Sequence, residues 1–267
     1  MNRIARTFAK VKAEGRKALV TFTMAGDPDG ATSLAILERL AKSADILEIG
    51  MPFTDPMADG PAVQAAGLRA LAAGATMART LDIVQQFRSK NQDTPIVLMG
   101  YFNPMLFYGI EKFCNDCNSI GVDGFIIVDV PPEEADEIAP KAQQSGIAFI
   151  RLLAPTTDEA RLRKILKDAG GFLYYVSVAG VTGTASADPV KAGAHIGMIR
   201  KHTQLPIVAG FGIKTPADAA AMGQIADGVV VGSALVQEIE KAQAGTDLPE
   251  RLGARADALA AALRQGK

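Results

Sequence analysis

A regular alternation of short apolar runs and longer amphipathic stretches is the feature that most constrains the fold of this 267-residue chain. The apolar runs have the length and composition of strands, and each is followed by residues with helical periodicity. The runs are 18–24, 46–50, 95–99, 124–128, 148–153, 172–177, 206–209 and 228–231. Eight βα units in succession indicate a closed parallel barrel, so we predict an α/β fold, a (βα)8 TIM barrel with an extra N-terminal helix over residues 4–14.

The alternative is an open doubly wound sheet, which usually carries a glycine-rich dinucleotide turn after its first strand. The turn here, Ala25-Gly-Asp-Pro-Asp-Gly30, does not have the G-x-G-x-x-G spacing. Residues 101–108 look like an apolar loop, and we expect one helix over 132–145 and a capping box from Thr156 to Glu159. Thr215-Pro216 predicts a further helix start. No linker or low-complexity segment divides the chain, so we predict a single domain over residues 1–267.

Charge and hydropathy exclude several classes of partner. The chain has 28 Lys and Arg against 29 Asp and Glu, and no long basic run that would follow a phosphate backbone, so we expect no nucleic acid partner. It has no apolar run of membrane-spanning length, and its N-terminus lacks the apolar core of a secretory signal. We therefore expect a soluble, cytoplasmic protein with no membrane partner.

The two cysteines, Cys114 and Cys117, have the C-x-x-C spacing of a redox pair or of half a zinc site. A zinc site would need two more ligands, and the two histidines lie far away in the sequence. Both cysteines also recur at helical spacing with Ile110 and Phe113, which favours a stripe facing the core. We expect no metal site.

An acidic residue within an apolar strand is the first sign of chemistry. Glu48 lies in the run Ile46-Leu-Glu-Ile-Gly50, and the loop that follows brings Asp59 close behind it. Because a buried ionised carboxylate without a partner is costly, Glu48 at a strand end indicates proton transfer to a ligand. The alternatives are an interior carboxylate hydrogen-bonded to a neighbouring Tyr or Ser, and for Asp59 a cap or turn before Gly60-Pro61.

Three glycine groups follow the sixth, seventh and eighth predicted strands. They are Gly180-Val-Thr-Gly183, Gly210-Phe-Gly212 and Gly232-Ser233. In TIM barrels these loops often hold a phosphate, since glycine lets backbone N–H groups approach an anion and a helix N-terminus favours negative charge. The spacing predicts a phosphate site there. Asp129 and Tyr174 are further polar groups that can face the same end of the barrel.

These motifs together carry a family resemblance. Phe53-Thr-Asp-Pro-Met-Ala-Asp-Gly-Pro61 directly after the Glu48 strand, with Asp129-Val-Pro-Pro132, the Gly180–Gly183 turn and Gly210-Phe-Gly-Ile213, closely resembles the α subunits of tryptophan synthase over nearly the whole chain. The resemblance implies a carbon-carbon lyase that cleaves indole-3-glycerol phosphate to indole and glyceraldehyde 3-phosphate in tryptophan biosynthesis. It implies no cofactor in this chain.

The resemblance also assigns roles by position. Glu48 matches the general acid/base and Asp59 its partner carboxylate. The substrate-binding matches are Phe22, Met99, Tyr101, Asp129, Tyr174, Thr182, Gly183, Phe211, Gly212, Gly232 and Ser233. Met99 departs from the leucine expected there, which puts fine substrate fit in question but not the reaction.

A partner is implied as well: a β subunit that carries pyridoxal phosphate, receives indole and forms an αββα heterotetramer. Pro52, Asp55, Asn103 and Pro104 are the expected interface residues. The apolar stretch 101–108 supports an interface, unless its side chains tuck under the following helix.

Two other functions remain open. A Schiff-base aldolase or sugar-phosphate isomerase on the same barrel would have similar phosphate loops, and an aldolase would need a desolvated lysine, for which Lys214 is the nearest candidate. The second alternative is a ligand-sensing subunit that only modulates its partner. Such a subunit would not need both Glu48 and Asp59.

Overall fold

The computed structural model describes residues 2–176, 189–210, 212–242 and 247–264. Within them the strands are all parallel and lie close to the predicted runs. They are β1 Ala18–Met24, β2 Ile46–Gly50, β3 Ile96–Gly100, β4 Gly124–Ile127, β5 Ala148–Phe149, β6 Arg151–Leu153, β7 Leu173–Val176, β8 Ile207–Gly210 and β9 Gly228–Val231. Residue 177, the predicted end of the sixth run, lies outside the described residues.

The order of the strands shows how the sheet closes. It runs β5-β4-β3-β2-β1-β9-β8-β7-β6, so its two ends are β5 and β6. Only Ile150 separates these two segments in the chain, and together they form the predicted run 148–153. The sheet therefore closes on itself through one interrupted strand, and the prediction of a TIM barrel is confirmed.

The helices surround this barrel, with additional ones inserted in several connections. They are α1 Arg3–Ala13, α2 Gly30–Leu40, α3 Pro61–Ala72, α4 Met77–Lys90, α5 Phe102–Tyr108, α6 Ile110–Ser119, α7 Ala139–Gln144, α8 Glu159–Ile165, α9 Pro189–Ile199, α10 Pro216–Gly223, α11 Ser233–Glu240 and α12 Leu248–Arg264. A 3-10 helix spans Pro132–Glu137. The predicted helix 132–145 is thus wrong in part, because Ile138 breaks it into a 3-10 turn and a short α-helix.

Alternation along each strand separates an inner apolar core, inside the barrel, from an outer core between strands and helices, which consists of two clusters. In β2, Leu47 and Ile49 pack with the surrounding helices, whereas Ile46 packs inside the barrel with Val20 and Val97. The predicted N-terminal helix α1 closes the lower end of this inner core with Ile4, Phe8 and Val11. The rings of Phe8 and Phe172 are 5.9 Å apart. At the other end of the barrel, the carboxyl ends of the strands lead into the loops.

Two predicted helix starts have different outcomes. Thr215 caps α10 as expected, in a capping box with Asp218 and with proline at the first turn. The capping box from Thr156 to Glu159 is wrong, since Asp158 is the cap of α8 and accepts a hydrogen bond from the Arg161 N–H. Thr157 instead accepts a hydrogen bond from the Ala154 N–H.

The cysteines lie on α6 as the helical spacing predicts. Cys114 and Cys117 are free thiols buried in the outer core with Phe113. Burial raises the pKa of Cys114 to about 11 and also raises the pKa of Cys117.

In the described ranges, no helix combines the length and hydropathy needed to cross a bilayer.

Candidate active site

Glu48 occupies the middle of the barrel, near the carboxyl end of β2. It has the same strand parity as Ile46, so it faces inward, and it lies beside Phe22 of β1 and Val97 of β3 in the parallel register. Only 1% of the residue is exposed. Successive side chains of a strand point to opposite faces, so Leu47 and Ile49 face the helices and Glu48 between them faces the barrel interior.

The carboxyl group of Glu48 has no hydrogen-bond partner among the described residues, for either oxygen. The alternative of an interior carboxylate bonded to a neighbouring Tyr or Ser is therefore not found in the described part of the chain. Burial raises the pKa of Glu48 to about 8, and the nearby charge of Asp59 adds to the rise. A group of this kind is protonated at neutral pH and poised to give up a proton.

Asp59 lies in the loop between β2 and α3 and is half-buried. Its peptide segment is held by Tyr101, whose hydroxyl accepts a hydrogen bond of 3.0 Å from the Ala58 N–H. Burial raises the pKa of Asp59 to about 6, while a hydrogen bond from the Tyr101 hydroxyl acts in the opposite direction. The N-cap of α3 is Gly60 and not Asp59, so Asp59 does not have the alternative role of capping residue.

The walls around Glu48 are apolar and close. Phe22 is buried in the inner core. Met99 and Tyr174, from other strands, pack against this core. Burial raises the pKa of the Tyr174 hydroxyl well above its ordinary value, and the charge of Glu48 is the second cause, which indicates that the two side chains are neighbours. A β-carbon at Gly232 would lie 3.2 Å from the Phe22 β-carbon. Largely apolar side chains therefore surround the Glu48 carboxyl group, and we call this part of the barrel interior the chamber.

Asp129 follows the end of β4 and is exposed. Its carboxylate accepts a hydrogen bond of 2.9 Å from the Phe102 N–H, at the start of α5. Asp129 therefore fixes the segment that carries Tyr101. A cap role and a binding role are compatible for this residue.

The predicted phosphate region is described in part. Gly232 is the N-cap of α11 and has no side chain that could accept a capping hydrogen bond. The first backbone N–H groups of a helix have no partner within the helix, so those of α11 can bind an anion. Gly210 ends β8, and Gly212 has a positive φ of 64°, which favours glycine. Ser233 begins α11. Thr182, Gly183 and Phe211, the remaining predicted contacts, lie outside the described residues.

The expected partner-interface residues lie around the same end of the barrel. Asp55 and Asn103 are exposed, and Pro52 and Pro104 are half-buried. The stretch 101–108 is mostly the helix α5 and not a loop, because Phe102–Tyr108 completes two turns. Met105 is the buried residue of this helix.

Three exposed apolar side chains near these residues were missed. Phe107 is 95% exposed, Leu106 is 52% exposed and Met57 of the Asp59 loop is 84% exposed. We call them the mouth patch. The apolar character of residues 101–108 was visible in the sequence, but which of its side chains point outward depends on how α5 sits.

Lys214, the candidate for a Schiff base, is exposed. Lys214 lies just before α10, where its backbone N–H donates to Asp218 and its carbonyl accepts from Arg255 of α12. A solvated ammonium is not activated for attack on a carbonyl. The position of Lys214 therefore disfavours the aldolase alternative.

Comparison with known proteins shows the family to which the chain belongs. A family model for the tryptophan synthase alpha chain matches residues 8–264. A crystal structure of a tryptophan synthase alpha subunit from Legionella pneumophila is 41% identical, with a TM-score of 0.92 and coverage of 98% of each chain. A structure from Aquifex aeolicus is 38% identical, with a TM-score of 0.89, over 99% of this chain and 100% of that one. A tryptophan synthase structure from Mycobacterium tuberculosis is 34% identical, with a TM-score of 0.90 and 99% coverage of each. The chain therefore belongs to the tryptophan synthase alpha chain family, whose members are enzyme subunits.

Proposed function

We propose that this chain is a carbon-carbon lyase that cleaves indole-3-glycerol phosphate to indole and glyceraldehyde 3-phosphate. The observation that carries the proposal is Glu48, a buried carboxyl group without a hydrogen-bond partner among the described residues and with a pKa raised to about 8. A protonated acid in an apolar chamber next to a second carboxylate suits a reaction that must first protonate carbon.

The chemistry explains why protonation comes first. Direct cleavage would leave an aromatic carbanion at C3 of the indole, which is a poor leaving group. Protonated Glu48 gives its proton to C3, and the ring becomes an indolenine with positive charge on nitrogen. The Glu48 carboxylate then takes the proton of the adjacent chain hydroxyl while the carbon-carbon bond breaks. The bonding electrons return to the ring, neutral indole leaves, the hydroxyl carbon becomes an aldehyde, and Glu48 is again protonated.

Asp59 provides the negative charge that this step needs. Its pKa of about 6 leaves it mostly ionised at neutral pH. In the proposal its carboxylate accepts a hydrogen bond from the indole N–H and stabilises the positive charge that develops on that nitrogen. The two carboxyl groups therefore divide the work between proton transfer and electrostatic stabilisation.

The phosphate and the ring are held by different parts of the chamber. Backbone N–H groups at Gly212, Gly232 and Ser233 would hold the phosphate, with Thr182, Gly183 and Phe211 completing that site, while Phe22, Met99, Tyr101, Asp129 and Tyr174 line the indole and glycerol parts. The N-terminus of α11 supports this assignment because its dipole favours an anion. The proton transfers require no metal or organic cofactor from this chain.

We also propose that the chain docks on a pyridoxal-phosphate-dependent β subunit in an αββα heterotetramer. The mouth patch supports docking, since large apolar side chains exposed together often mark an interface. Pro52, Asp55, Asn103 and Pro104 would frame it. The single-domain organisation over residues 1–267 and a cytoplasmic location remain predictions.

The test is direct. Purified chain is mixed with indole-3-glycerol phosphate, with and without a β partner, and release of indole is followed. Glu48→Gln should abolish release while a phosphate ligand still binds within about threefold of wild type, because the substitution removes the proton but keeps the shape. Intact turnover in Glu48→Gln would remove Glu48 from the mechanism.

Further measurements separate the alternatives. Asp59→Asn should also cripple turnover, and unchanged kinetics would return Asp59 to a structural role. Borohydride treatment with substrate should leave no covalent adduct, whereas an adduct would favour the aldolase. Ligand binding without any indole release, alone or with a partner, would favour the sensing subunit.

A further inference from the structure

The helix α3 connects the two parts of the proposed site. It begins at Pro61, directly after the Asp59 loop, and packs into the inner core through Ala66 and Ala70. The same core includes Phe22, Met24 and Val236, the last of which lies on α11. Because its buried residues are small, α3 approaches β1 and α11 closely. It therefore lies between the Asp59 loop and α11, the helix whose start belongs to the proposed phosphate site.

One side chain holds α3 in place. Arg69, on the last turn of α3, forms two hydrogen bonds with the carboxylate of Asp27, at 2.9 and 2.8 Å. Asp27 lies in the turn after β1, and its side chain has no exposed surface. Burial raises the pKa of Asp27, while Arg69 acts against that rise and the charge of Glu240 adds to it. Two parallel bonds to a planar guanidinium fix orientation as well as distance.

Arg69 also contacts α11. Its guanidinium donates to the Val236 carbonyl at 3.3 Å and lies 3.7 Å from the Glu240 carboxylate, one turn further along the same helix. A single residue thus ties together the turn after β1, the helix behind Asp59 and the helix that begins at Ser233. Within the described part of the chain, the side-chain hydrogen bonds and ion pairs of Arg69 and Asp27 go to one another and to α11, and none goes to Glu48 or Asp59.

We infer that Arg69, paired with Asp27, is a positioning residue that fixes the distance between the catalytic loop and the phosphate-binding start of α11. The inference rests on the proposed function, since it concerns a substrate held at both places at once. A substrate anchored by its phosphate reaches Glu48 and Asp59 correctly only if the two elements keep their spacing. A displacement of about 1 Å can cost about 100-fold in rate.

Arg69→Lys tests this, because it keeps the charge beside Asp27 and loses the two-bond geometry. We expect kcat for indole-3-glycerol phosphate to fall about 10- to 100-fold. Inorganic phosphate and free indole each occupy only one part of the site, so their dissociation constants should stay within about twofold of wild type. A role in local folding alone would not produce this split between the linked substrate and its fragments.

Arg39→Lys is the matched control. Arg39 also binds two carboxylates, Asp257 and Glu250, but it links α2 to α12, which carry none of the proposed site residues. This variant should keep wild-type kcat. If Arg69→Lys does not fold, the double variant Asp27→Asn/Arg69→Gln removes both charges together and should show the same loss of kcat.

A second readout does not need turnover. The amide NMR signals of Gly60 and Ser233 should both shift in Arg69→Lys. Neither signal should shift in Arg39→Lys. A wild-type chain that releases no indole would count against the proposed function, while these shifts would still support the link. Wild-type kcat in Arg69→Lys, an equal loss in Arg39→Lys, or a parallel loss of phosphate affinity would each overturn the inference.

Discussion

The ring of Tyr174 fills the space that a side chain at Gly210 would need. A β-carbon at Gly210 would lie 2.5 Å from Cε1 of Tyr174 and 2.8 Å from its hydroxyl oxygen. Tyr174 on β7 pairs with Val208 on β8, so Gly210 lies two residues further along the neighbouring strand, and Tyr174 is a neighbour of Glu48. The glycine at the end of β8 therefore sets the orientation of a ring that lines the proposed chamber.

Gly210→Ala should force Tyr174 to move. Overpacking of this kind typically costs about 1–3 kcal/mol, so we expect the free energy of unfolding to fall by that amount and kcat/KM to fall with it. Denaturant unfolding and steady-state kinetics measure both. Adding Tyr174→Leu should restore part of the lost stability, because the clashing ring is gone.

Gly197→Ala on α9 is the control for this prediction. Of the residues that the structure describes, none lies within 4 Å of a β-carbon there, and Gly197 is in a helix, so the substitution should leave stability equal or slightly higher. Gly210→Ala with wild-type turnover and stability would show that the strand end can give way without cost.

The pH dependence of kcat/KM should follow a bell. Activity should rise as Asp59 loses its proton near pH 6 and fall as Glu48 loses its proton near pH 8, because the mechanism needs ionised Asp59 and protonated Glu48. The substrate phosphate also titrates near pH 6, so the rising limb needs a separate check. Residual activity of Asp59→Asn provides it.

In Asp59→Asn the falling limb should move to lower pH. The charge of Asp59 is one cause of the raised pKa of Glu48, so its removal makes Glu48 easier to ionise. Carbon-13 NMR of the Glu48 carboxyl reports the same change directly. A Glu48 pKa that stays in place would mean that burial alone sets it.

The stability of the protein should also report on Glu48. A carboxyl group with a pKa of 4.5 in the unfolded chain and about 8 in the folded chain binds more protons when folded. Its contribution to stability is therefore complete below about pH 4.5 and is lost as the pH rises towards 8. Relative to Glu48→Gln, wild type should lose stability over this window, by an amount on the order of 5 kcal/mol.

Unfolding by urea at pH 5 and pH 8.5 measures that difference. Asp59 is present in both proteins, so its own titration largely cancels in the comparison. Parallel pH profiles for wild type and Glu48→Gln would place the Glu48 carboxyl in contact with water, contrary to its burial.

Much of the barrel follows from the sequence because burial leaves a simple pattern. β1, β2 and β9 have the predicted bounds, since each is an apolar run with clear ends. The inward orientation of Glu48 follows from parity with Ile46. The segment 132–137 was misjudged, since its acidic residues suit an α-helix start and nothing local predicts the break at Ile138.

Contacts between distant segments are a different matter. Arg69 and Asp27 are separated by 42 positions and have no shared motif, so their ion pair emerges only when α3 lies across the end of β1. The cap of α8 is Asp158 and not the predicted Thr156, and the Thr157 side chain is held by the Ala154 N–H. Such outcomes depend on tertiary packing, which no short window of sequence contains.

Phe107 should matter for association with the β subunit. It projects from α5 with 95% of its surface exposed, while Met105 on the same helix is fully buried. Aromatic side chains often carry a large share of an interface's binding energy, and a loss of about 1.4 kcal/mol weakens affinity tenfold. We expect Phe107→Ser to weaken β-subunit binding at least about tenfold, measured by titration calorimetry, with kcat of the isolated chain within about twofold of wild type.

Lys10→Ser provides the comparison. Lys10 is an exposed residue of α1, the helix that closes the opposite end of the barrel, so its loss should leave the affinity unchanged. If Phe107→Ser binds the β subunit as tightly as wild type, the mouth patch is not the docking surface. Because the substitution is on the surface of α5 and leaves Met105 buried, a change in affinity cannot be attributed to loss of the fold.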